Sequence, residues 1–233
     1  RYPSKYSSAN NHLLAEGLGL FVADLFFPHF DASRRWLKLG KKILDTEADR
    51  QILPDGGSFE YSTSYLPFVI DFFLFYRHIC KNLSLEYSLV VDERLKNSCC
   101  FIQSIMDSNG HVPNIGDQDN AQLIDFGISN GETFTSIINT GSALFNETRL
   151  LPGLIDLKTW MIAEKAYLNN KIHKSNCQTQ TELHENSGIA VIKDWVEGKE
   201  VLFVGNATPL GMPPLYAHGH LDALSFTLFV DGN

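Results

Sequence analysis

The chain has 233 residues, and 27 acidic side chains against 19 basic ones give it a formal net charge of −8. Apolar residues make up 44% of the chain and charged residues 20%, an ordinary globular composition that excludes fibrous and disordered proteins. The acidic balance argues against nucleic-acid binding, and no apolar run is long enough to span a membrane.

The first part of the chain carries apolar side chains at helical spacing. Six stretches show this pattern: 14–25, 36–44, 68–79, 88–107, 119–129 and 153–168. Asp31 and Ser33 are plausible N-caps for the second stretch, and the third is apolar enough for a helix buried on most sides. Gly- and Asp-rich turns separate the stretches, so we predict a helical domain over 1–170, built from helical hairpins.

The pattern then changes from helix to strand. Residues 171–186 are polar and predict a linker. Three short strands are predicted after it: 189–192, 201–205 and 224–230. In the third, apolar residues from Leu224 to Val230 alternate with polar ones, which is typical of an antiparallel strand with one buried face. We predict the start of an antiparallel β domain over 187–233, incomplete because Asp-Gly-Asn follows the last strand like half of a hairpin.

The chain contains four cysteines, Cys80, Cys99, Cys100 and Cys177. None belongs to a CxxC pair, and Cys99 falls on the apolar side of a helical pattern. Buried thiols are therefore favoured over a disulfide framework or a metal site, and the redox compartment stays open.

The densest group of chemically active side chains is His218-Gly-His220-Leu-Asp222. On an extended segment, alternate side chains share one face about 6–7 Å apart. Two imidazoles and a carboxylate so placed could bind zinc, or divide between metal binding and catalysis. The alternative is a loop of satisfied polar residues at the mouth of a sheet. The motif also resembles the opening of the metallo-β-lactamase signature, but Ala223 stands where that signature has another His.

Three further polar clusters have ordinary structural explanations when each is taken alone. Asn10-Asn11-His12, followed by Glu16, suits a helix cap. The segment 55–65 is a turn that leads into the most apolar helix and ends in Tyr65, which packing alone could explain. Gly116-Asp117-Gln118-Asp119 suits a β-turn with an N-cap.

The order of these clusters is more informative than any one of them. Four motifs follow one another: NNH at 10–12, DGGSFEYSTSY at 55–65, PNIGDQD at 113–119 and HGHLDALSF at 218–226. This order resembles the heparinase II/III-like family of polysaccharide lyases, which includes heparin, heparan sulfate and some alginate lyases. The resemblance implies an incomplete (α/α) toroid followed by an antiparallel β-sandwich domain, here truncated at its C-terminal end. The active site would lie in the cleft between them.

Lyases of this family cleave a uronate glycosidic bond by β-elimination. The resemblance implies that Asn11 and His12 neutralise the uronate carboxylate, as an oxyanion hole does. It assigns acid and base roles to Tyr65 and His218 without deciding which group removes the proton. Cleft-shaping, substrate-binding roles are expected for two carboxylates, Glu60 and Asp117.

The resemblance also implies a structural zinc. His220 would be its first ligand, with the remaining ligands beyond Asn233, and Asp222 would hold the loop. One departure is Leu66, which follows Tyr65 where many members have His. The net charge disfavours heavily sulfated heparin as the substrate and favours a less charged uronate polymer.

Two other functions stay open. A non-catalytic relative would bind acidic glycans during surface-polysaccharide assembly, and a helical scaffold with a zinc-stabilised β module would bind no sugar. An acidic polysaccharide is the expected partner, in the periplasm or outside the cell. The oligomeric state, the uronate polymer, the mode of attack and the stereochemistry are open.

Overall fold

The computed structural model describes residues 3–128, 130–145, 156–163 and 179–232. Within these ranges the α-helices are α1 Asn11–Phe26, α2 Ser33–Gln51, α3 Tyr65–Asn82, α4 Leu89–Ile105, α5 Thr133–Phe145 and α6 Leu157–Ala163. The strands are β1 Gln180–His184, β2 Ile189–Val196, β3 Lys199–Asn206 and β4 Phe226–Val230. Short 3₁₀ helices occupy Ser4–Tyr6 and Asn130–Glu132. Helices followed by an antiparallel sheet confirm the order that the sequence predicts. Among the described helices none is long and apolar enough to cross a membrane.

The helices pack around α3. As predicted, α3 is buried on most sides, and Phe73 and Tyr76 are fully enclosed. The tightest helix crossing lies between α1 and α2 at Gly40, where an added Cβ would lie 2.5 Å from the Gly17 carbonyl oxygen and from the Phe21 nitrogen. Only a residue without a side chain permits this approach, so Gly40 sets the distance between the two helices.

The sheet is an antiparallel meander in the order β1-β2-β3-β4. Its inner face joins the helical core through four buried residues, Ile189, Val191, Leu202 and Val204. Polar contacts with the end of α4 and the loop after it reinforce this docking. The Ser104 hydroxyl and the His184 Nε2 lie 2.8 Å apart, and the Ser108 N–H donates to Glu200 at 2.6 Å.

The outer face of the sheet is apolar and exposed. Phe226 and Leu228 are 66% and 50% exposed, and Ile192 on β2 lies on the same face. The prediction that Phe226 and Leu228 lie on the buried face of β4 is therefore wrong in the described residues. The register places Phe229 opposite Leu202, which is buried against the helices. The side chains of β4 that alternate with Phe226 and Leu228 therefore face the helices instead.

Several predicted elements differ from the structure. The stretch 119–128 is irregular rather than helical, because Asp119 and Asp125 accept hydrogen bonds from N–H groups two residues on and form turns. The helix α5 was not predicted. The strand β1 lies inside the predicted linker, where its polar side chains do not prevent pairing with β2 at the sheet edge.

The remaining local predictions have mixed outcomes. The helix α2 begins at Ser33 after the N-cap Ala32, so neither Asp31 nor Ser33 caps it. Of the cysteines, Cys80 and Cys99 are buried free thiols as predicted, whereas Cys100 is exposed. Cys177 lies outside the described residues, as do 153–155 and 164–168 of the last predicted helical stretch and 171–178 of the linker.

Candidate active site

The predicted site residues meet where the helices adjoin the sheet. Two segments come from the helical side: the start of α1, and residues 58–65, which lead into α3. The other two are loops, 113–119 after α4 and 207–225 between β3 and β4. A long irregular connection such as 207–225 is where functional residues are usually found.

A buried carboxylate, Glu60, forms the back of the site. The Asn11 side-chain nitrogen lies 3.2 Å from each of its oxygens, and the Asn11 backbone N–H and the Asn10 amide also donate to it. Glu60 is fully buried, and burial raises its pKa, although the nearby His218 and the hydrogen bonds from Asn11 act in the opposite direction. Glu60 therefore holds the Asn11 side chain in place by accepting its hydrogen bonds, and a substrate-binding role for Glu60 stays a prediction.

Tyr65 occupies the first position of α3 and is nearly buried, at 9% exposure. Its ring packs on His218 with a centroid distance of 3.9 Å and a tilt of 36°. Its hydroxyl donates to Asp119 at 3.0 Å. Burial, followed by this hydrogen bond and the neighbouring carboxylates, raises the pKa of Tyr65 well above its ordinary value. The resting hydroxyl is therefore protonated.

His218 lies between two carboxylates. Its Nε2 is 3.3 Å from Glu60, and its Nδ1 is 3.3 Å from Asp117. The hydrogen bond from His218 lowers the pKa of the Asp117 carboxyl. The backbone of His218 has φ = 64°, in the left-handed region that few side chains occupy, and its carbonyl accepts from the Asp117 N–H at 2.8 Å. The loop is thus held in a strained conformation by the helical side of the site.

His220 and Asp222 contact the same turn as His218. The His220 Nε2 lies 3.5 Å from Asp117, and Asp222 accepts from the Gly116 N–H at 2.8 Å. The segment is not the extended strand that the sequence predicts, because His218 takes the left-handed conformation and the chain folds back. The three side chains nevertheless converge, because all of them contact the loop 113–119.

No complete metal site is formed by the described residues. Within them, no group of three or more His, Cys, Asp or Glu side chains is arranged to hold a metal ion. His220 instead pairs with Asp117 and is 54% exposed. The zinc implied by the resemblance stays a prediction.

One predicted residue stands apart, and two contributors were missed. His12 is exposed, and only its backbone N–H takes part, donating to Asn10 at 3.2 Å in the helix cap. Asn10 and Asp119 both belong to motifs that the sequence displays, NNH and PNIGDQD. Their roles were missed because a cap and a turn explain each one locally.

A cavity of about 630 Å³ lies beside Tyr65. Its wall consists of ten residues: Ser64, Pro67, Asn114, Gln118, Asp119, Asn120, Ala121, Gln122, Thr133 and Phe134. Side-chain amides and hydroxyls are the main polar groups, and this lining contains a carboxylate and no basic residue. Such a surface suits hydroxyl-rich ligands better than heavily sulfated ones.

Comparison with known proteins identifies the family of the chain. The family model described as Heparinase II/III N-terminus matches residues 1–127, more than half of the chain. The chain belongs to the heparinase II/III family. The match covers the site segments that contribute Asn11, Glu60, Tyr65 and Asp117.

Two curated relatives show the similarity in sequence. The heparin-sulfate lyase of Pedobacter heparinus is 32% identical over 114 residues, which cover 48% of this chain and 17% of that protein. The heparin-sulfate lyase of Bacteroides stercoris is 36% identical over 80 residues, 34% of this chain and 11% of that protein. The matched part is thus a small fraction of each relative.

Solved structures extend the similarity to the whole fold. The crystal structure of heparan sulfate lyase HepC from Pedobacter heparinus superposes with a TM-score of 0.67 at 23% identity, over 98% of this chain and 32% of HepC. The crystal structure of Heparinase III gives a TM-score of 0.71 at 17% identity, over 98% of this chain and 34% of that chain. At such identities the likeness shows a shared fold, and this chain spans about a third of either structure.

Proposed function

We propose that the protein is a polysaccharide lyase that cleaves a uronate-containing glycan by β-elimination. The observation that carries the proposal is the contact of Tyr65 with His218, rings 3.9 Å apart, beside a cavity large enough for sugar units. Membership of a family with heparin-sulfate lyases among its relatives supports it.

The reaction has to remove a proton from C5, next to the uronate carboxylate. That carbon is a poor acid, because the electron pair left behind adds negative charge beside the carboxylate, and a hydrogen-bond donor to the carboxylate reduces this cost. Asn11 suits that role, since its amide nitrogen carries two hydrogens. If one N–H is shared between the two Glu60 oxygens, the other can donate to the substrate. Glu60 then keeps the amide in its working orientation.

Tyr65 and His218 are the proposed acid and base. The Tyr65 hydroxyl is protonated at rest and is hydrogen-bonded to Asp119 in the cavity wall, which suits donation to the departing sugar oxygen. In the resting arrangement both nitrogens of His218 face carboxylates. A bound substrate must therefore break one of these two contacts before the imidazole can accept the C5 proton. The Nδ1–H donates to Asp117 at rest, so Nδ1 can act as the base only in the other tautomer, with the N–H on Nε2 towards Glu60. Asp117 is about half exposed, which makes its contact the easier one for a substrate to release.

The substrate that we propose carries little or no sulfate. The cavity lining contains amides, hydroxyls and Asp119 but no Lys or Arg, and two further carboxylates, Glu60 and Asp117, lie close to the Tyr65–His218 pair. Among the described residues of this lining, a sulfate would meet the negative charge of Asp119 and no Lys or Arg.

The test is formation of an unsaturated uronate by the full protein, followed by its ultraviolet absorbance. The panel includes heparin, heparan sulfate, hyaluronan, alginate and polyglucuronate. We expect product from a polymer of low sulfation, and none after Tyr65→Phe. Tyr87→Phe is the matched control, because the Tyr87 hydroxyl also donates to a carboxylate, Asp92 at 2.9 Å, but is remote from the site.

The outcomes separate the candidate functions. Turnover that survives Tyr65→Phe would remove Tyr65 from the mechanism, and high activity on heparin alone would overturn the low-sulfate substrate. Glycan binding without product, unchanged by Tyr65→Phe, would support the non-catalytic alternative.

Three finer predictions complete the proposal. A second β-sheet would cover the apolar outer face that contains Phe226 and Leu228, forming the β-sandwich. A structural zinc at His220 is tested by metal analysis of the full protein before and after His220→Ala. Action in the periplasm or outside the cell is proposed from the substrate class alone.

A further inference from the structure

Asp119 has a second contact beyond its local turn. One carboxylate oxygen accepts from the Ala121 N–H at 2.9 Å, which is the turn, and the other accepts from the Tyr65 hydroxyl at 3.0 Å. The turn orients the carboxylate, and the second oxygen is left to bind the phenol. The two side chains are 54 positions apart in the chain, so the contact is purely tertiary.

Ser64 connects the two partners a second time. Its hydroxyl accepts from the Asp119 N–H at 3.1 Å and donates to the Asp117 carbonyl at 2.7 Å. Because Ser64 directly precedes Tyr65, the loop that carries Asp119 is attached to the same helix start as the phenol. The relative position of hydroxyl and carboxylate is therefore set from both sides.

We infer that Asp119 is a positioning residue that fixes the Tyr65 hydroxyl at the cavity wall as the proton donor to the leaving sugar oxygen. This inference rests on the proposed lyase function. It assigns to Asp119 a role that neither the turn nor the family motif requires.

The charges around Tyr65 favour the acid role over the base role. The titratable groups that face it are Asp119 and Asp117 on the loop after α4, Glu60 before α3, and His218 on the β3–β4 loop. The three carboxylates raise the pKa of the phenol together with burial, so a phenolate is unfavourable here before the reaction. An unprotonated tyrosine base would need the opposite environment.

The proton balance then assigns the base role to His218 and the acid role to Tyr65. His218 takes the C5 proton, the electrons of that C–H bond form the C4=C5 double bond, and the bond from C4 to the leaving oxygen breaks. That oxygen takes the Tyr65 proton. In donating, the hydroxyl turns its hydrogen from Asp119 to the leaving oxygen. Water reaches the exposed Asp119 side of the pair, where the phenolate recovers a proton from it, and the His218 imidazolium releases the C5 proton to water, so both groups return to their resting forms with no net change in protons.

The test compares Asp119→Asn and Asp119→Ala in the full protein. Asn keeps a hydrogen-bond acceptor but removes the negative charge, so the pKa of Tyr65 should fall. The decrease in kcat that follows deprotonation of Tyr65 at alkaline pH should then begin at a lower pH. Ala removes the contact, and we expect kcat to fall about 10- to 100-fold with KM nearly unchanged. Asp125→Asn is the matched control, because Asp125 forms the same kind of turn, with Gly127 at 2.8 Å, and is not part of the site.

Opposite results would overturn the inference. A kcat that rises, rather than falls, as the pH passes through the Tyr65 pKa in Asp119→Asn would show that the phenolate is the active form and that Tyr65 is a base. Unchanged pH dependence and kcat in both variants would leave Asp119 with a structural role only.

A readout without turnover keeps this test separate from the proposed function. At a fixed alkaline pH below that of unfolding, the tyrosinate absorbance of Tyr65 is obtained by difference from Tyr65→Phe. We expect Asp119→Asn to increase it. An increase in a protein that cleaves no polymer would retain the Asp119–Tyr65 coupling and reject the lyase, whereas no increase in an active lyase would reject the coupling alone.

Discussion

The two halves of the site are built in different ways. Asn11, Glu60 and Tyr65 belong to helix starts and the segment before α3, and all three are buried. His218 and His220 lie on a long loop between strands, where His218 has a left-handed backbone and His220 is about half exposed. The helical half is defined by caps and core packing, and the loop half takes its shape from contacts with the helical half. The difference teaches that the site exists only while the sheet is docked.

The largest effect is expected from the loop half. His218→Ala removes the imidazole that contacts Tyr65 and Glu60, and turnover should fall by about 10²- to 10⁴-fold, the usual contribution of a positioned acid or base. The measurement is the ultraviolet absorbance of the unsaturated product. His29→Ala, at an exposed histidine, is the control, and equal activity in both variants would contradict the assignment.

The two faces of the sheet provide the next comparison. Leu202→Ala empties a fully buried site against the helices, and the free energy of unfolding should fall by about 2–5 kcal/mol. Leu228→Ser on the outer face should change it by less than about 0.5 kcal/mol in this chain. Chemical denaturation measures both. A larger cost of Leu228→Ser in the full protein would support the proposed second sheet.

A smaller effect should come from the turn at Gly116, which contacts the β3–β4 loop at His218. Gly116 has φ = 71°, and a Cβ there would lie 2.7 Å from the Tyr61 carbonyl oxygen and 2.8 Å from that of His218. Gly116→Ala should therefore cost more than about 1 kcal/mol and lower turnover by displacing His218. Gly127→Ala is matched, since Gly127 has the same φ but open space around it. Equal losses would mean that the backbone conformation alone matters.

The smallest expected effect is a pH dependence at Glu60. Its pKa is raised in the folded protein, so the folded state binds this proton more tightly than the unfolded state does. This contribution to stability is full below the ordinary value of 4.5 and is lost as the pH rises through the folded pKa. The Glu60→Gln variant has no titratable group at this position and lacks this contribution. The difference in the free energy of unfolding, variant minus parent, should therefore increase as the pH rises above 4.5. Thermal unfolding across that range measures the difference, and a decrease would contradict the sign.

Agreement between sequence and structure is best where a local pattern decides the outcome. The apolar run of α3 predicts its burial, and the resemblance of the four motifs to a known family gives Asn11, Tyr65 and His218 as candidates that the structure brings close to one another. The prediction failed for β4 because alternation fixes two faces without saying which one meets the helices.

The amino-acid sequence by itself determined the order of helices and strands, because periodicity is a local property of the chain. It supplied the candidate site residues through the order of four motifs and their resemblance to a known family. The tertiary structure alone decided that Glu60 is enclosed, that Asp119 holds the Tyr65 hydroxyl, and that His218 lies between two carboxylates. Each of these contacts joins residues at least 49 positions apart in the chain. The packing of helices and their loops brings Glu60 to Asn11 and Asp119 to Tyr65, and the docking of the sheet adds His218.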